Sequence, residues 1–104
     1  MKPDKVLGLM GLAQRAGGIV SGEFMTEQSV KKGKSFLVIV AQDASDNTKK
    51  QFRDMCVFRD VPYREYADKE QLGMAIGKEY RASVSVTNEN LANELVKKID
   101  GGSN

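Results

Sequence analysis

The stretch that decides the fold is FLVIVA, residues 36–41, the longest apolar run in the chain. Six residues are far fewer than the ~18 that a membrane-spanning helix needs, and they match the length of one strand. The run shows no alternation of apolar and polar residues, which is typical of a strand covered by helices on both faces. It therefore predicts a central strand in an α/β sheet.

Helix and strand patterns alternate on both sides of this run. The spacing of apolar residues, capping residues and glycines predicts helices over 4–16, 23–32, 47–55 and 69–76, and a last helix that begins after residue 87 or 88. Strands are predicted over 19–21, 61–66 and 82–86. This alternation is typical of a mostly parallel or mixed sheet between helix layers. We expect one domain over residues 1–100 and a flexible tail over 101–104.

Several local features make this prediction specific enough to check. In the second helix, Met25, Ser29 and Val30 are expected to face inward. The alternation of serine and valine over 82–86 predicts a strand with one face on the core. Gly8 and Gly11 each cost the first helix roughly 1 kcal/mol relative to Ala, so we expect another element to approach them closely.

Composition excludes much catalytic chemistry. The 104 residues contain no His and only one Cys, so Ser-His and Cys-His pairs and imidazole metal ligands are absent. We therefore expect no enzymatic activity and no metal or cofactor. Cys56 has no partner for an internal disulfide, which favours a cytoplasmic protein. We interpret it as a buried, inert residue, and a lone thiolate nucleophile is the alternative.

The charge distribution is uneven although the net charge is only +2. Residues 1–59 hold ten Lys or Arg against six Asp or Glu, whereas residues 60–104 hold six against eight. The basic residues cluster over 31–34 and 49–53. This asymmetry favours an anionic partner such as nucleic acid, and ordinary solvated helix faces are the alternative.

The order and spacing of several segments resemble one family. Gly22 opens a helix that closes at Gly33, the central strand continues into AQD at 41–43, and KEQLGMAIG at 69–77 leads into the strand at 82–86. Together they resemble the L7Ae/L30e superfamily of ribosomal and ribonucleoprotein-particle proteins. Residues 9–18 and 43–50 resemble its small bacterial branch, the YlxQ-type proteins. The resemblance implies a three-layer α/β/α sandwich around a four-stranded mixed sheet, and binding of kink-turn RNA.

The resemblance also implies that three loop regions at one end of the sandwich hold the RNA. In the first, the family pattern is Gly, any residue, Asn, Glu, two further residues and Lys. Gly22 matches this pattern, whereas Phe24, Met25 and Gln28 replace the Asn, Glu and Lys. We therefore expect weakened specific readout, with Glu23 as a substitute acceptor and Gln28 as a donor and acceptor. Phe24 either stacks on a base or belongs to a hydrophobic staple or a protein contact.

The second region follows the central strand. The resemblance places Ser45 and Lys49 beside the RNA stem, with Lys32 contacting phosphate from the end of the second helix. Solvated helix charge is the alternative for both lysines.

The third region is the loop over 78–82. In the family, apolar residues of this loop cover a flipped-out nucleotide, a place that Ala82 occupies here. Tyr80 is a candidate for stacking and Arg81 for binding phosphate or a base plane. A tyrosine packed on the rim of the domain is the alternative for Tyr80.

The sequence thus predicts a small, non-catalytic protein that docks on kink-turn or internally looped RNA, ribosomal RNA included. The alternative is a protein–protein adaptor that keeps the fold without RNA specificity, because Phe24 and Met25 suit a protein interface. We expect a monomer without membrane attachment.

Overall fold

The computed structural model describes residues 4–102 and contains five helices and four strands within that range. In chain order these are α1 (Lys5–Arg15), β1 (Ile19–Ser21), α2 (Glu23–Lys31), β2 (Leu37–Val40), α3 (Asp46–Arg59), β3 (Tyr63–Glu65), α4 (Lys69–Ala75), β4 (Ser83–Val86) and α5 (Glu89–Gly101). None of the helices described there is long and apolar enough to cross a membrane.

The strands form one mixed sheet in the order β1-β4-β2-β3. β2 and β3 run parallel, whereas β4 is antiparallel to both of its neighbours. Helices α1, α4 and α5 cover one face, and α2 and α3 cover the other. Every residue of the two central strands is buried. The predicted three-layer α/β/α sandwich with a four-stranded mixed sheet is confirmed.

Short polar side chains fix where four of the helices begin. Asp4, Ser45, Asp68 and Asn88 each accept a hydrogen bond from a backbone N–H in the first turn that follows. Such caps satisfy amides that have no partner inside the helix. Helix α2 differs, because Gly22 stands at its N-cap and no side chain among the described residues caps it.

The prediction that β4 packs one face on the core is wrong. All four residues of β4 are buried, including Ser83 and Ser85. The Ser85 hydroxyl lies 2.7 Å from the hydroxyls of both Ser29 and Ser35, which are also buried. Ser85 can therefore be buried between the sheet and α2, because its hydroxyl has hydrogen-bond partners inside the core.

The inward face of α2 also differs from the prediction. Thr26, Ser29 and Val30 are buried, whereas Met25 is 48% exposed. The three buried residues have the i, i+3, i+4 spacing of one helix face. Met25 lies one residue before that face, so about 100° of helix rotation turns its side chain toward solvent.

The two glycines of α1 differ in their surroundings. A Cβ on Gly11 would lie 3.0 Å from the Ala75 carbonyl oxygen, so the expected close approach is confirmed there. A Cβ on Gly8 would meet no described atom within 4 Å, so the same expectation is wrong for Gly8.

Two helices continue further than predicted. α3 extends to Arg59 and ends at Asp60 in the left-handed conformation, so Cys56 lies inside the helix. α5 extends through Gly101 with Gly102 as its C-cap, so the first residue of the expected tail is helical. The rest of that expectation, at residues 103–104, falls outside the described residues, as do residues 1–3.

Candidate nucleic-acid interface

Four loops converge at one end of the sheet. β1, β2 and β3 end there and β4 begins there. The Gly22 N–H donates to the Ser83 carbonyl at 2.9 Å, and the Ala41 N–H donates to the Ala82 carbonyl at 2.9 Å. These bonds hold the β1–α2 turn and the β2–α3 loop against the start of β4. The structure therefore brings the three predicted loop regions together.

The β1–α2 turn presents the start of a helix. Gly22 has a φ of 92°, a conformation that glycine adopts without the steric cost that other residues meet. The first amides of α2 follow it, at the positive end of the helix dipole. Glu23 is exposed, and Phe24 is 69% exposed. The turn thus combines hydrogen-bond donors for an anion with an exposed aromatic ring.

The α4–β4 loop places Arg81 beside this turn. The Arg81 Nε donates to the Ser21 hydroxyl at 3.1 Å, and its Nη1 donates to the Tyr80 carbonyl at 2.8 Å. The Arg81 N–H donates to the Lys69 carbonyl at 3.1 Å. Tyr80 itself is 64% exposed. The guanidinium is therefore held in place, while the neighbouring phenol ring is open to solvent.

Gly73 positions this loop, a role that the sequence analysis missed. A Cβ on Gly73 would lie 1.2 Å from the Glu79 carbonyl oxygen, so only glycine lets the loop pack against α4. The Gly73 carbonyl also accepts from the Lys78 N–H at 2.8 Å. The available signal was a glycine inside a predicted helix, which often marks a close backbone approach.

The β3–α4 loop is a second segment that the sequence analysis missed. Its Ala67 carbonyl accepts from the Gln42 N–H at 2.8 Å, and Ala67 has a left-handed φ of 61°. Asp43 Oδ1 accepts from the Lys69 N–H at 2.9 Å. Because parallel strands end at the same edge of a sheet, the end of β3 had to lie beside the end of β2.

Ser45 and Lys49 lie at the start of α3 beside this end of the sheet, and both have partners within the chain. The Ser45 hydroxyl accepts from the Thr48 N–H at 3.1 Å as the N-cap. The Lys49 Nζ lies 3.9 Å from the Glu65 Oε1. Such a long surface pair is weak and readily exchanged. Lys49 is therefore the better placed of the two for a phosphate contact.

Lys32 is not brought to the converging loops. It is the C-cap of α2, about 14 Å along the helix axis from Glu23. Gln28 lies between them, and with Met25, Lys32 and Lys34 it lines a groove of about 240 Å³ next to β1. Neither lysine has an ion-pair partner within residues 4–102. This groove continues the candidate interface along α2.

Cys56 lies in the core, inside α3. Burial raises the pKa of its thiol to about 11, so the neutral form dominates at neutral pH. The expectation that Cys56 is buried is confirmed, and a neutral buried thiol is a poor nucleophile.

Comparison with known proteins agrees with this architecture. The chain matches the Ribosomal protein L7Ae/L30e/S12e/Gadd45 family over residues 4–96. It is 40% identical over 92 residues to the RNA-binding protein YlxQ of Bacillus subtilis, a match that covers 88% of this chain and 92% of that protein. It is 34% identical over 98 residues to the RNA-binding protein YlxQ of Enterococcus faecium, covering 94% of each.

Among solved structures, the chain is similar to a protein with unknown function from Bacillus halodurans C. The TM-score is 0.92 at 35% identity, over 94% of this chain and 99% of that one. Sequence and fold agree, so the chain belongs to the L7Ae/L30e family, in its YlxQ-like branch.

Proposed function

We propose that this chain is a non-catalytic RNA-binding protein that docks on kink-turn or internally looped RNA through the end of the sheet described above. The observation that carries the proposal is the convergence of the uncapped start of α2, the exposed Phe24 and Tyr80 rings and the anchored Arg81 guanidinium. Relatives named RNA-binding proteins support it. A cytoplasmic location belongs to the same proposal.

Phosphate contacts position the RNA at this end of the domain. The free amides at the start of α2 and the helix dipole favour a phosphate group there. Arg81 beside the turn and Lys49 near the start of α3 add cationic donors. Contacts of this kind fix the register and orientation of the protein without reading sequence.

Base contacts come from the exposed side chains of the same loops. Phe24 and Tyr80 offer planes on which splayed bases stack, each worth roughly 1–3 kcal/mol. Glu23 accepts from guanine edges in place of the family's acidic residue. Gln28 stands where the family has a lysine, and Phe24 where it has an asparagine. A bidentate hydrogen-bonded contact between a side chain and a base is worth roughly 1–3 kcal/mol of discrimination, and Phe24 cannot form one. We therefore expect kink-turn preference to be present but reduced.

A gel-shift titration tests this proposal. It uses the full chain, a standard kink-turn RNA and a control RNA with disrupted G·A pairs, at low and physiological salt. We expect tighter binding to the kink-turn than to the control, and weaker binding to both as salt rises because phosphate contacts release counterions. Equal affinity for both RNAs would remove the kink-turn part of the proposal, and no binding at low salt would remove RNA binding itself.

A protein–protein adaptor is the second candidate function. Phe24 and Met25 are adjacent and both exposed, which favours this function because aromatic residues and methionine are enriched in protein interfaces. If the chain is an adaptor, neither RNA binds even at low salt, and Phe24→Ala removes binding to a protein partner without changing the unfolding temperature.

A further inference from the structure

The C-terminal half of α3 exposes apolar side chains that the proposed RNA site does not use. Phe58 is 83% exposed and Val57 is 76% exposed, more than any other large apolar side chain in residues 4–102. α3 begins beside the converging loops and is about 21 Å long, so these residues lie toward the opposite end of the domain. An RNA held by the loops would leave them uncovered.

A groove of about 630 Å³ runs beside these residues, between α3 and the edge strand β3. Val61 and Pro62 contribute apolar surface to it, while Arg53 and Asp60 place opposite charges along its α3 side. We define the α3 face by its outward residues Arg53, Asp54, Val57 and Phe58 together with Arg59 and Asp60. The face therefore joins an exposed apolar centre to charges of both signs.

The charges of the α3 face are arranged symmetrically about its apolar centre. Residues 53–60 read RDMCVFRD, with an Arg-Asp pair on each side of the centre. If a second copy lies antiparallel, Arg53 faces Asp60 of that copy. A two-fold axis repeats this pairing, because the same patch is presented by both copies. The face is thus electrostatically complementary to itself.

Asp60 is the residue that the isolated chain leaves unexplained. Its carboxylate has no ion-pair partner within residues 4–102, and its backbone is left-handed with a φ of 59°. It also lies at the C-terminal end of α3, where the helix dipole disfavours a negative charge. An arginine from a second copy would compensate this carboxylate.

The other charges of the face have partners within the chain, and Asp54 is paired most closely, with its Oδ2 2.7 Å from the Lys50 Nζ. Arg53 Nη1 lies 3.8 Å from Glu65 Oε2 across the protein surface, a pair that solvent screens. The Arg59 guanidinium lies 5.8 Å from the centre of the Phe58 ring, which keeps it at the edge of the apolar centre. The Arg59 Nη1 also donates to the Lys31 carbonyl at 2.9 Å, so Arg53 is the cation of the face that a second copy can most readily engage.

We propose that two copies of this chain associate through the α3 face, about a two-fold axis near Val57. This dimer would replace the monomer expected from the sequence. It does not depend on the proposed function, because each copy keeps its converging loops exposed. Stable interfaces of this kind bury roughly 800 Å² on each partner, so residues of the groove and of α3 next to the face would be covered as well.

Sedimentation equilibrium of the full chain tests the proposal. We expect a mass approaching twice the 11.4 kDa of one chain as concentration rises. Val57→Asp should weaken the dimer at least about 100-fold, because a carboxylate is then desolvated at the apolar centre. Met74→Asp is the matched control, since Met74 is 70% exposed on α4 in the other helix layer. Thermal melts check that both variants are folded.

A charge exchange tests the pairing itself. Arg53→Glu and Asp60→Lys should each weaken the dimer roughly tenfold or more, because each places like charges opposite one another twice. An equimolar mixture of the two variants should recover the dimer. In the mixed pair the new glutamate at position 53 faces the new lysine at position 60, and the native Arg53 and Asp60 face each other.

Recovery on mixing cannot result from altered folding of either variant. A wild-type chain that stays monomeric at roughly millimolar concentration would overturn the proposal, since specific dimers associate well below it. A dimer that persists in Val57→Asp would also overturn it, as would a mixture that stays monomeric.

Discussion

The Arg81 Nε lies 3.1 Å from the Ser21 Oγ, which joins the α4–β4 loop to the end of β1 across 60 positions of sequence. A second bond, from Nη1 to the Tyr80 carbonyl, fixes the plane of the guanidinium. An arginine held in this way loses little side-chain entropy when a phosphate or a base plane approaches. We therefore expect the Arg81 guanidinium to contribute to RNA binding without the cost of first ordering its side chain.

Arg81→Ala should lower affinity for the kink-turn RNA by roughly tenfold, because the variant cannot donate a charge-assisted hydrogen bond to the RNA from this position. Fluorescence anisotropy with labelled RNA measures the change. Lys97→Ala is the matched control, since Lys97 carries the same charge on the exposed side of α5. Equal reductions in both variants would mean that net charge, and not this loop, governs binding.

Gly73→Ala should destabilise the domain by about 2–4 kcal/mol, because the new methyl group overlaps the Glu79 carbonyl and displaces the loop that carries Tyr80 and Arg81. Gly8→Ala is the matched control in a helix where the new methyl group meets no described atom within 4 Å. It should stabilise the domain by roughly 0.5–1 kcal/mol. Urea unfolding of both variants measures whether the free energy of unfolding falls or rises at each site.

Much of the fold could be predicted from the sequence because its signals are local. The apolar run at 36–41 predicts a buried central strand, and the polar residues Ser45, Asp68 and Asn88 lie where helices begin. These features depend on a few neighbouring residues and on backbone amides that need partners. The resemblance to a family then supplied the three-layer arrangement around a four-stranded mixed sheet, whereas the strand order β1-β4-β2-β3 came only from the structure.

The rest depends on contacts between distant segments. A glycine inside a predicted helix indicates close packing at position 73, but no local pattern identifies the Glu79 carbonyl as its neighbour. Likewise, serine alternation in β4 predicts one solvated face, and only Ser29 and Ser35 from other elements make Ser85 suitable for the core. The prediction that the candidate site residues bind RNA gains support because the loops that carry most of them meet at one end of the sheet.

Restoring the family pattern in the β1–α2 turn should strengthen kink-turn recognition. The triple variant Phe24→Asn, Met25→Glu, Gln28→Lys should raise the ratio of kink-turn to control affinity by roughly tenfold or more, since each restored base-reading side chain adds discrimination. The first two side chains are exposed, so the unfolding temperature should change little. A ratio that stays unchanged would show that this turn does not read the G·A pairs.

Cys56 should resist alkylation in the folded protein. Its side chain is fully buried and its pKa is raised to about 11, so iodoacetamide at pH 8 should modify it only after denaturation. Mass spectrometry with and without urea measures this. Rapid modification of the native chain would show that the α3 region opens readily.

Stability should also fall at high pH. In the unfolded chain the thiol ionises near pH 9, whereas in the folded chain it keeps its proton to about pH 11. Burial and the hydrogen bond to Glu65 raise the pKa of Tyr63 in the same direction. The Cys56 contribution to stability is complete below pH 9 and is lost as pH rises to 11, whereas the Tyr63 contribution begins to fall near pH 10 and is still partly present at pH 11. Unfolding temperatures measured from pH 7 to 11 should fall only above pH 9, and a constant value would contradict this.

The most direct test of the proposed interface is an NMR titration of the labelled chain with kink-turn RNA, which reports the amide of each contacted residue. We predict shifts at Gly22, Glu23 and Phe24 and at Tyr80, Arg81 and Ala82, with smaller shifts around Ser45 and none at Val57 or Phe58. Shifts centred on the C-terminal half of α3, with the converging loops unchanged, would contradict the proposed interface.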